Sequence, residues 1–216
     1  MDSYFLVITA GFLGKNKKAQ KGSIDPNDAK AYVQRGIAYA EEGQLEIALN
    51  DFNQAISLDP SYALAYFLRG VTYNEQGKFK SALTDFNRVI SIDPNDAKAY
   101  LHRGIIYNQH KKLALALTDF ERVIAIDPKN AEAYYNRGII YAEEGQLELS
   151  LHDFDRAISL DPKNAKTHLF RGIIYSNLGN FKAARSNFKK AQKLSKSQGD
   201  TVIAEKAAHE LAKIQR

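Results

Sequence analysis

Apolar residues recur along this chain at helical spacing, in paired segments separated by short polar breaks. The stretch AKAYVQRGIAYAEE (29–42) places Tyr32, Gly36 and Tyr39 on one face, and Gly43 follows where a left-handed residue can end a helix. Asp28 stands ready to cap that helix with a side-chain oxygen. The next stretch, QLEIALNDFNQAISLD (44–59), puts Leu45, Ala48, Leu49, Phe52, Ala55 and Ile56 on one stripe. Asp59–Pro60 then interrupts it. Proline lacks the N–H that would extend a helix and pushes the preceding residue out of helical geometry. Asp-Pro also stands at Asp25–Pro26, Asp93–Pro94, Asp127–Pro128 and Asp161–Pro162, so that successive prolines are 34 residues apart. A fixed period of this length predicts stacked helical hairpins, none of which can bury its apolar side alone.

The period divides the chain into repeats at 29–62, 63–96, 97–130, 131–164 and 165–198, followed by a terminal segment at 199–216. In that segment Ile203, Ala207, Leu211 and Ile214 form one stripe, with Glu205, Lys206, His209, Glu210 and Lys213 on the other sides. This is the pattern of a capping helix, apolar toward the stack and polar toward water. Gly36, Gly70, Gly104, Gly138 and Gly172 recur in mid-helix, where they are expected to let two helices approach against small partners such as Ala48, Ala82, Ala116 and Ala184. Two departures stand out. Lys111 replaces the turn glycine of the third repeat, at a cost of about 1 kcal/mol if that turn is left-handed. The first and fourth repeats share AEEGQLE (40–46 and 142–148) and AISLDP (55–60 and 157–162), which reads as a block duplication.

These residues carry a family likeness. An aromatic, then glycine, then tyrosine on the first helix, with alanine, phenylalanine and alanine on the second and proline at the end, resemble the tetratricopeptide repeat (TPR) family over about residues 26–198. The resemblance implies an all-α fold, a right-handed superhelical α-solenoid of stacked antiparallel helix pairs. It also implies an inner groove lined from the first helix of each pair. Carried onto this sequence, one row of the groove is Val33, Phe67, Leu101, Tyr135 and Leu169, and the next is Ile37, Val71, Ile105, Ile139 and Ile173. A third row holds Ala40, Asn74, Asn108, Ala142 and Ser176. All ten positions of the first two rows are apolar or aromatic, more than a solvated face requires. The family's co-chaperones that grip a C-terminal carboxylate use lysine, asparagine and arginine in the groove. The matching positions here are Val33, Ile37, Leu68, Lys98 and His102, so most of that clamp is missing. An apolar floor flanked by asparagine and glutamate suits an amphipathic helix or an extended peptide with apolar anchors.

Charge and composition narrow the field. The formal charge of +5 comes from +2 in residues 1–25, −3 in the array and +6 in residues 182–216. An acidic array with a basic end is not the footprint of a dedicated nucleic-acid binder. The basic cluster Lys182, Arg185, Lys189, Lys190, Lys193 and Lys196 reads as a solvated helix face, with a membrane- or complex-assembly role as the rival reading. No cysteine is present, which removes disulfides, thiolate nucleophiles and cysteine zinc sites and fits a reducing, cytoplasmic setting. The five histidines show no metal-ligand spacing, and no phosphate loop or hydrolase motif occurs. Arg35, Arg69, Arg103, Arg137 and Arg171 are expected to pair with Asp51, Asp85, Asp119 and Asp153, leaving Arg171, opposite Asn187, the least neutralised.

Residues 1–28 stand apart. Tyr4–Gly14 (YFLVITAGFLG) is apolar and is followed by Lys15, Lys17 and Lys18, while 19–26 looks like the worn tail of a further repeat. The apolar run is shorter than the roughly 18 residues of a membrane span, and Asp2 stands where a secretory leader wants positive charge. The sequence therefore points to a non-enzymatic, cofactor-free scaffold that holds a protein partner's peptide or helix in its groove. Self-assembly into a homo-oligomer, with Tyr4–Gly14 in a groove, is the alternative. Neither nucleic acid nor integral membrane insertion is expected.

Overall fold

In the computed structural model the described residues are 24–214, and they form eleven helices and no strand. The apolar N-terminal run and the repeat remnant before Ile24 lie outside them. The helices are α1 (Ala29–Glu41), α2 (Leu45–Leu58), α3 (Ala63–Glu75), α4 (Phe79–Ile92), α5 (Ala97–Gln109) and α6 (Leu113–Ile126). They continue as α7 (Ala131–Glu143), α8 (Leu147–Leu160), α9 (Ala165–Asn177), α10 (Phe181–Gln198) and α11 (Thr201–Lys213). The chain divides into two compact units, 1–106 and 107–216, with the division inside α5. Within the first unit, α1 packs on α2, α2 on α3 and α3 on α4. Within the second, α6 packs on α7 and each helix from α7 to α10 packs on the one that follows it.

Local chemistry explains the helix ends. Asp28 accepts hydrogen bonds from the backbone N–H groups of Lys30 and Ala31, at 2.8 and 3.2 Å. Asn130, Asn164 and Asp200 cap α7, α9 and α11 in the same way. The aspartate of each Asp-Pro does more than precede a proline. Asp59, in extended backbone, folds its carboxylate over Pro60 to accept from the Ser61 N–H at 2.9 Å and the Ser61 hydroxyl at 2.6 Å. Asp93, Asp127 and Asp161 repeat the bond to the residue two positions on, so the turn is an Asx turn built around the proline.

The first helix of each pair ends on a left-handed residue. Gly43 has φ +75°, and the N–H of Gln44 reaches back to the Tyr39 carbonyl at 2.8 Å. Lys111 adopts the same conformation, φ +56°, and Lys112 makes the same bond to Tyr107.

Packing centres on five phenylalanines, Phe52, Phe86, Phe120, Phe154 and Phe188, all fully buried. Here the sequence reading of the glycines is corrected. The atoms over Gly36 belong to the Phe52 ring and to Asp51, not to Ala48, and a Cβ there would lie 2.7 Å from the ring. At Gly172 the Phe188 ring would be 2.6 Å away. The glycines make room for an aromatic ring of the second helix rather than for a small residue. At the end of the chain, α11 lays Ile203, Ala207, Leu211 and Ile214 against a core that includes Leu169, Phe188 and Ala191, and leaves Glu205, Lys206 and His209 exposed.

Candidate functional site

The recurring arginines are structural clamps. Arg35 forks onto Asp51 at 2.9 and 2.7 Å, Arg69 onto Asp85 at 2.8 and 2.6 Å, and Arg137 onto Asp153 at 2.7 and 2.9 Å. All three aspartates are buried, and the bidentate bonds to them hold the arginine pKa values above their ordinary range. Burial in turn pushes the Asp85 carboxyl up, against the pull of Arg69. Arg171 is not the poorly neutralised member expected from sequence. Its Nε donates to Asn187 at 2.9 Å and its Nη1 to Asp155 of the preceding hairpin at 2.6 Å. Arg69 makes the corresponding reach to Asn53. Arg69 and Arg171 each tie their own hairpin together and also stitch it to the one before.

The twelve positions expected to line a groove fall into two groups. Val33, Ile37, Phe67, Val71, Leu101 and Leu169 are buried, whereas Asn74, Ile105, Asn108, Tyr135, Ile139 and Ile173 are half-buried. The buried six are a correction: they are not open lining in this structure. For the first row the reason is packing. The Phe67 ring sits edge-on to Phe86 of its own hairpin, with centroids 5.8 Å apart, and to His102 of the next, at 5.2 Å. Tyr135 repeats the arrangement between Phe154 and Phe170, at 6.1 and 5.8 Å. Phe67 and Tyr135 are therefore wedges between consecutive hairpins. His102 completes the wedge in the first unit, stacked on Phe86, and burial lowers its pKa to about 4 with Lys98 adding to the shift. His168 is buried too; its pKa is lowered by burial, and its Nε2 lies 3.2 Å from the Pro162 carbonyl oxygen.

The groove positions Tyr135, Ile139 and Ile173 of α7 and α9 remain partly accessible. Ile139 and Ile173 offer apolar area, Ala142 and Ser176 stand one turn further along, and Tyr135 presents part of its ring. The Oδ1 of Asn108, in the last turn of α5, is buried without a hydrogen-bond partner. At the helix starts, Glu132 is exposed as a residue, yet enough protein surrounds its carboxyl that burial raises its pKa, against the pull of Lys166. The Tyr135 hydroxyl is pushed up to about 12 by burial, with Glu132 adding to the shift.

Among the described residues no group of three or more histidine, aspartate or glutamate side chains converges to hold a metal, and no helix is long and apolar enough to cross a membrane. Two recesses, of about 330 Å³ at Asp28, Lys30, Asp59 and Tyr62 and about 280 Å³ at Asp161, Asn164, Lys166 and Asp200, lie at junctions where helices start and contain none of the twelve residues. The six basic residues of α10 are all exposed.

Comparison with known proteins agrees with this architecture. A profile described as TPR repeat matches residues 36–77 and 70–111, and two described as Tetratricopeptide repeat match 103–170 and 165–198. No curated protein sequence matches the chain. Among solved structures, MamA from Desulfovibrio magneticus (residues 41 to the end) is 28% identical with a TM-score of 0.71, over 82% of this chain and 99% of that one. YrrB, described as a TPR protein with an unusual peptide-binding site, is 22% identical with a TM-score of 0.66, over 97% of this chain and 100% of that one. PilF from Pseudomonas aeruginosa, at 17% identity and a TM-score of 0.71, shares the fold over 86% of this chain and 91% of that one. The 34-residue period, the phenylalanine-over-glycine packing and these matches lead to one assignment: the chain belongs to the tetratricopeptide repeat family.

Proposed function

We propose that the protein is a non-catalytic scaffold that holds an apolar-anchored segment of another protein against the exposed face of α7 and α9. The observation that carries the reading is the pairing of half-open Tyr135, Ile139 and Ile173 with the unpartnered buried Oδ1 of Asn108. Apolar side chains on a guest would find area on the isoleucines, and a backbone N–H would satisfy the asparagine. The carboxylate of Glu132 favours a guest with a positive charge near one end. YrrB, described as having a peptide-binding site, supports the general mode.

Affinity capture from the source cell with the wild-type chain and with Ile139→Glu/Ile173→Glu, compared by mass spectrometry, tests this. Both side chains are partly open, so the helical circular dichroism is expected to persist. Proteins captured by the wild type and lost from the double variant are the expected result. An identical set of captured proteins, from a variant that remains helical, would remove this face as the binding site.

A further inference from the structure

The last hairpin carries its charge differently from the one before it. At matching repeat positions, Lys182 of α10 stands where α8 has Glu148, Asn187 where it has Asp153, and Lys189 where it has Asp155. The helix α10 thereby holds six cations, Lys182, Arg185, Lys189, Lys190, Lys193 and Lys196, and no acid in its 18 residues. It is also longer than the 14-residue α8, because Lys196 replaces the proline that closes the earlier repeats.

Five of the six cations lie on one line. At the helical repeat, Lys182, Arg185, Lys189, Lys193 and Lys196 fall within an arc of about 80°, over about 21 Å of helix. All are exposed, on the side turned away from the buried Ala184, Phe188 and Ala191. Among the described residues none of the six pairs with a carboxylate, whereas Lys78, Lys111 and Lys213 each meet a glutamate. Cations three and four residues apart on a helix repel, and Lys182 in the first turn also opposes the helix dipole. Nothing within the described chain relieves this arrangement, so it calls for an anion from outside.

We infer that this face of α10 docks on an anionic phospholipid surface, to which the protein attaches without crossing it. Charge complementarity is the first reason. A helix face with a cluster of this size is drawn to the negative head groups of a membrane. Five of the six cations are lysines, whose flexible stems can reach phosphates spread over a plane without a fixed fork geometry. The apolar side chains at the two ends of the stripe are the second reason. Phe181 and Val202, 52% and 59% exposed, are the two most exposed large apolar residues among those described, and Leu178 is 44% exposed. They stand just before and just after the stripe, and at a bilayer such side chains sink to the base of the head groups. Nucleic acid suits the face less well. A single strand binds along successive aromatic rings, and Phe188, the other aromatic of α10, is fully buried. Groove readout of a duplex favours arginine at base edges, and the stripe has one. This inference goes beyond the guest-binding reading of α7 and α9 and does not rest on it.

Cosedimentation of the full chain with vesicles tests this, using phosphatidylcholine alone and an equal mixture of phosphatidylcholine and phosphatidylglycerol. Binding is expected to the mixed vesicles only, and should vanish near 1 M salt, where the screening length falls to about 3 Å. Lys182→Gln/Lys189→Gln/Lys193→Gln should weaken it about a hundredfold. Lys30→Gln/Lys80→Gln/Lys129→Gln removes the same charge from other exposed positions and should bind nearly as the wild type does. All six side chains are exposed, so both variants should keep their helical circular dichroism. Absence of binding to the mixed vesicles would overturn the inference. A duplex or single-stranded DNA oligonucleotide bound through the stripe in their place would assign the face to nucleic acid instead. Equal loss in the two triple variants would also overturn it, because net charge and not the stripe would then be responsible. So would equal retention, which would place the contact elsewhere in the chain. The assay needs no protein guest, so it can fail while the reading of α7 and α9 stands, and the reverse.

Discussion

Phe67 and Tyr135 occupy the same place in the second and fourth hairpins, and they differ in how far they are covered. Phe67 is sealed between Phe86 and His102; Tyr135, between Phe154 and Phe170, keeps part of its surface open. The same repeat position is therefore buried in the first unit and partly accessible in the second. A repeat pattern specifies which residue wedges between hairpins. How much of that residue is left for a guest depends on what else lies on the face.

The largest expected effect comes from removing the sealed wedge. Phe67→Ala should destabilise the chain by about 3–5 kcal/mol, because its cavity would be walled by Phe86 and His102. Tyr135→Ala should cost less in stability, since part of its ring already meets solvent. Urea unfolding of the two variants gives the order, and equal losses would erase the distinction between them.

The histidine in the first wedge supplies a pH contrast. Unfolded, His102 titrates near 6.5; folded, near 4. Between those values the unfolded chain binds the extra proton, so stability present above pH 6.5 is lost as the pH falls toward 4, by up to about 3 kcal/mol. His168 shifts in the same direction. His102→Phe, which copies Phe170, should flatten much of that slope in urea unfolding measured across the range. An unchanged slope would mean that His102 is not buried neutral.

Smaller effects rank the glycines. An added methyl would lie 2.6–2.7 Å from a ring at Gly172 and Gly36 but 3.1 Å at Gly70 and Gly138. Gly172→Ala and Gly36→Ala should therefore lower the thermal midpoint more than Gly70→Ala and Gly138→Ala, within a range of about 1–3 kcal/mol. Smallest of all, Lys111→Gly should stabilise by about 0.5–1 kcal/mol by relieving its left-handed backbone, less what the exposed Lys111–Glu143 pair contributes.

Much of this architecture could be read from residue spacing. The hairpins, the left-handed turn at Lys111 and the pairing of Arg35, Arg69 and Arg137 all follow from local grammar repeated at a fixed interval. The features that escaped reading arise between hairpins or within turns. Asp155 reaches Arg171 from the preceding repeat, and nothing in the local pattern marks it. Phe52, rather than Ala48, covers Gly36 because side-chain length and rotamer decide which atom arrives there. The groove positions were transferred from the family by repeat position. That transfer carries backbone direction but not coverage, so Ile37 and Ile139 looked alike in sequence and differ in the folded chain. The aspartate of Asp-Pro hid its Asx turn behind the more obvious effect of proline.

The proposed function requires that a guest meet the α7–α9 face and not the α1–α3 face. It is tested most directly by placing the same photo-crosslinking side chain at Ala40 in one full-length chain and at Ala142 in another, then irradiating each with a partner captured by the wild type. Crosslinked partner is expected from position 142 and none from position 40. Crosslinking from position 40 alone, or equally from both, would contradict it.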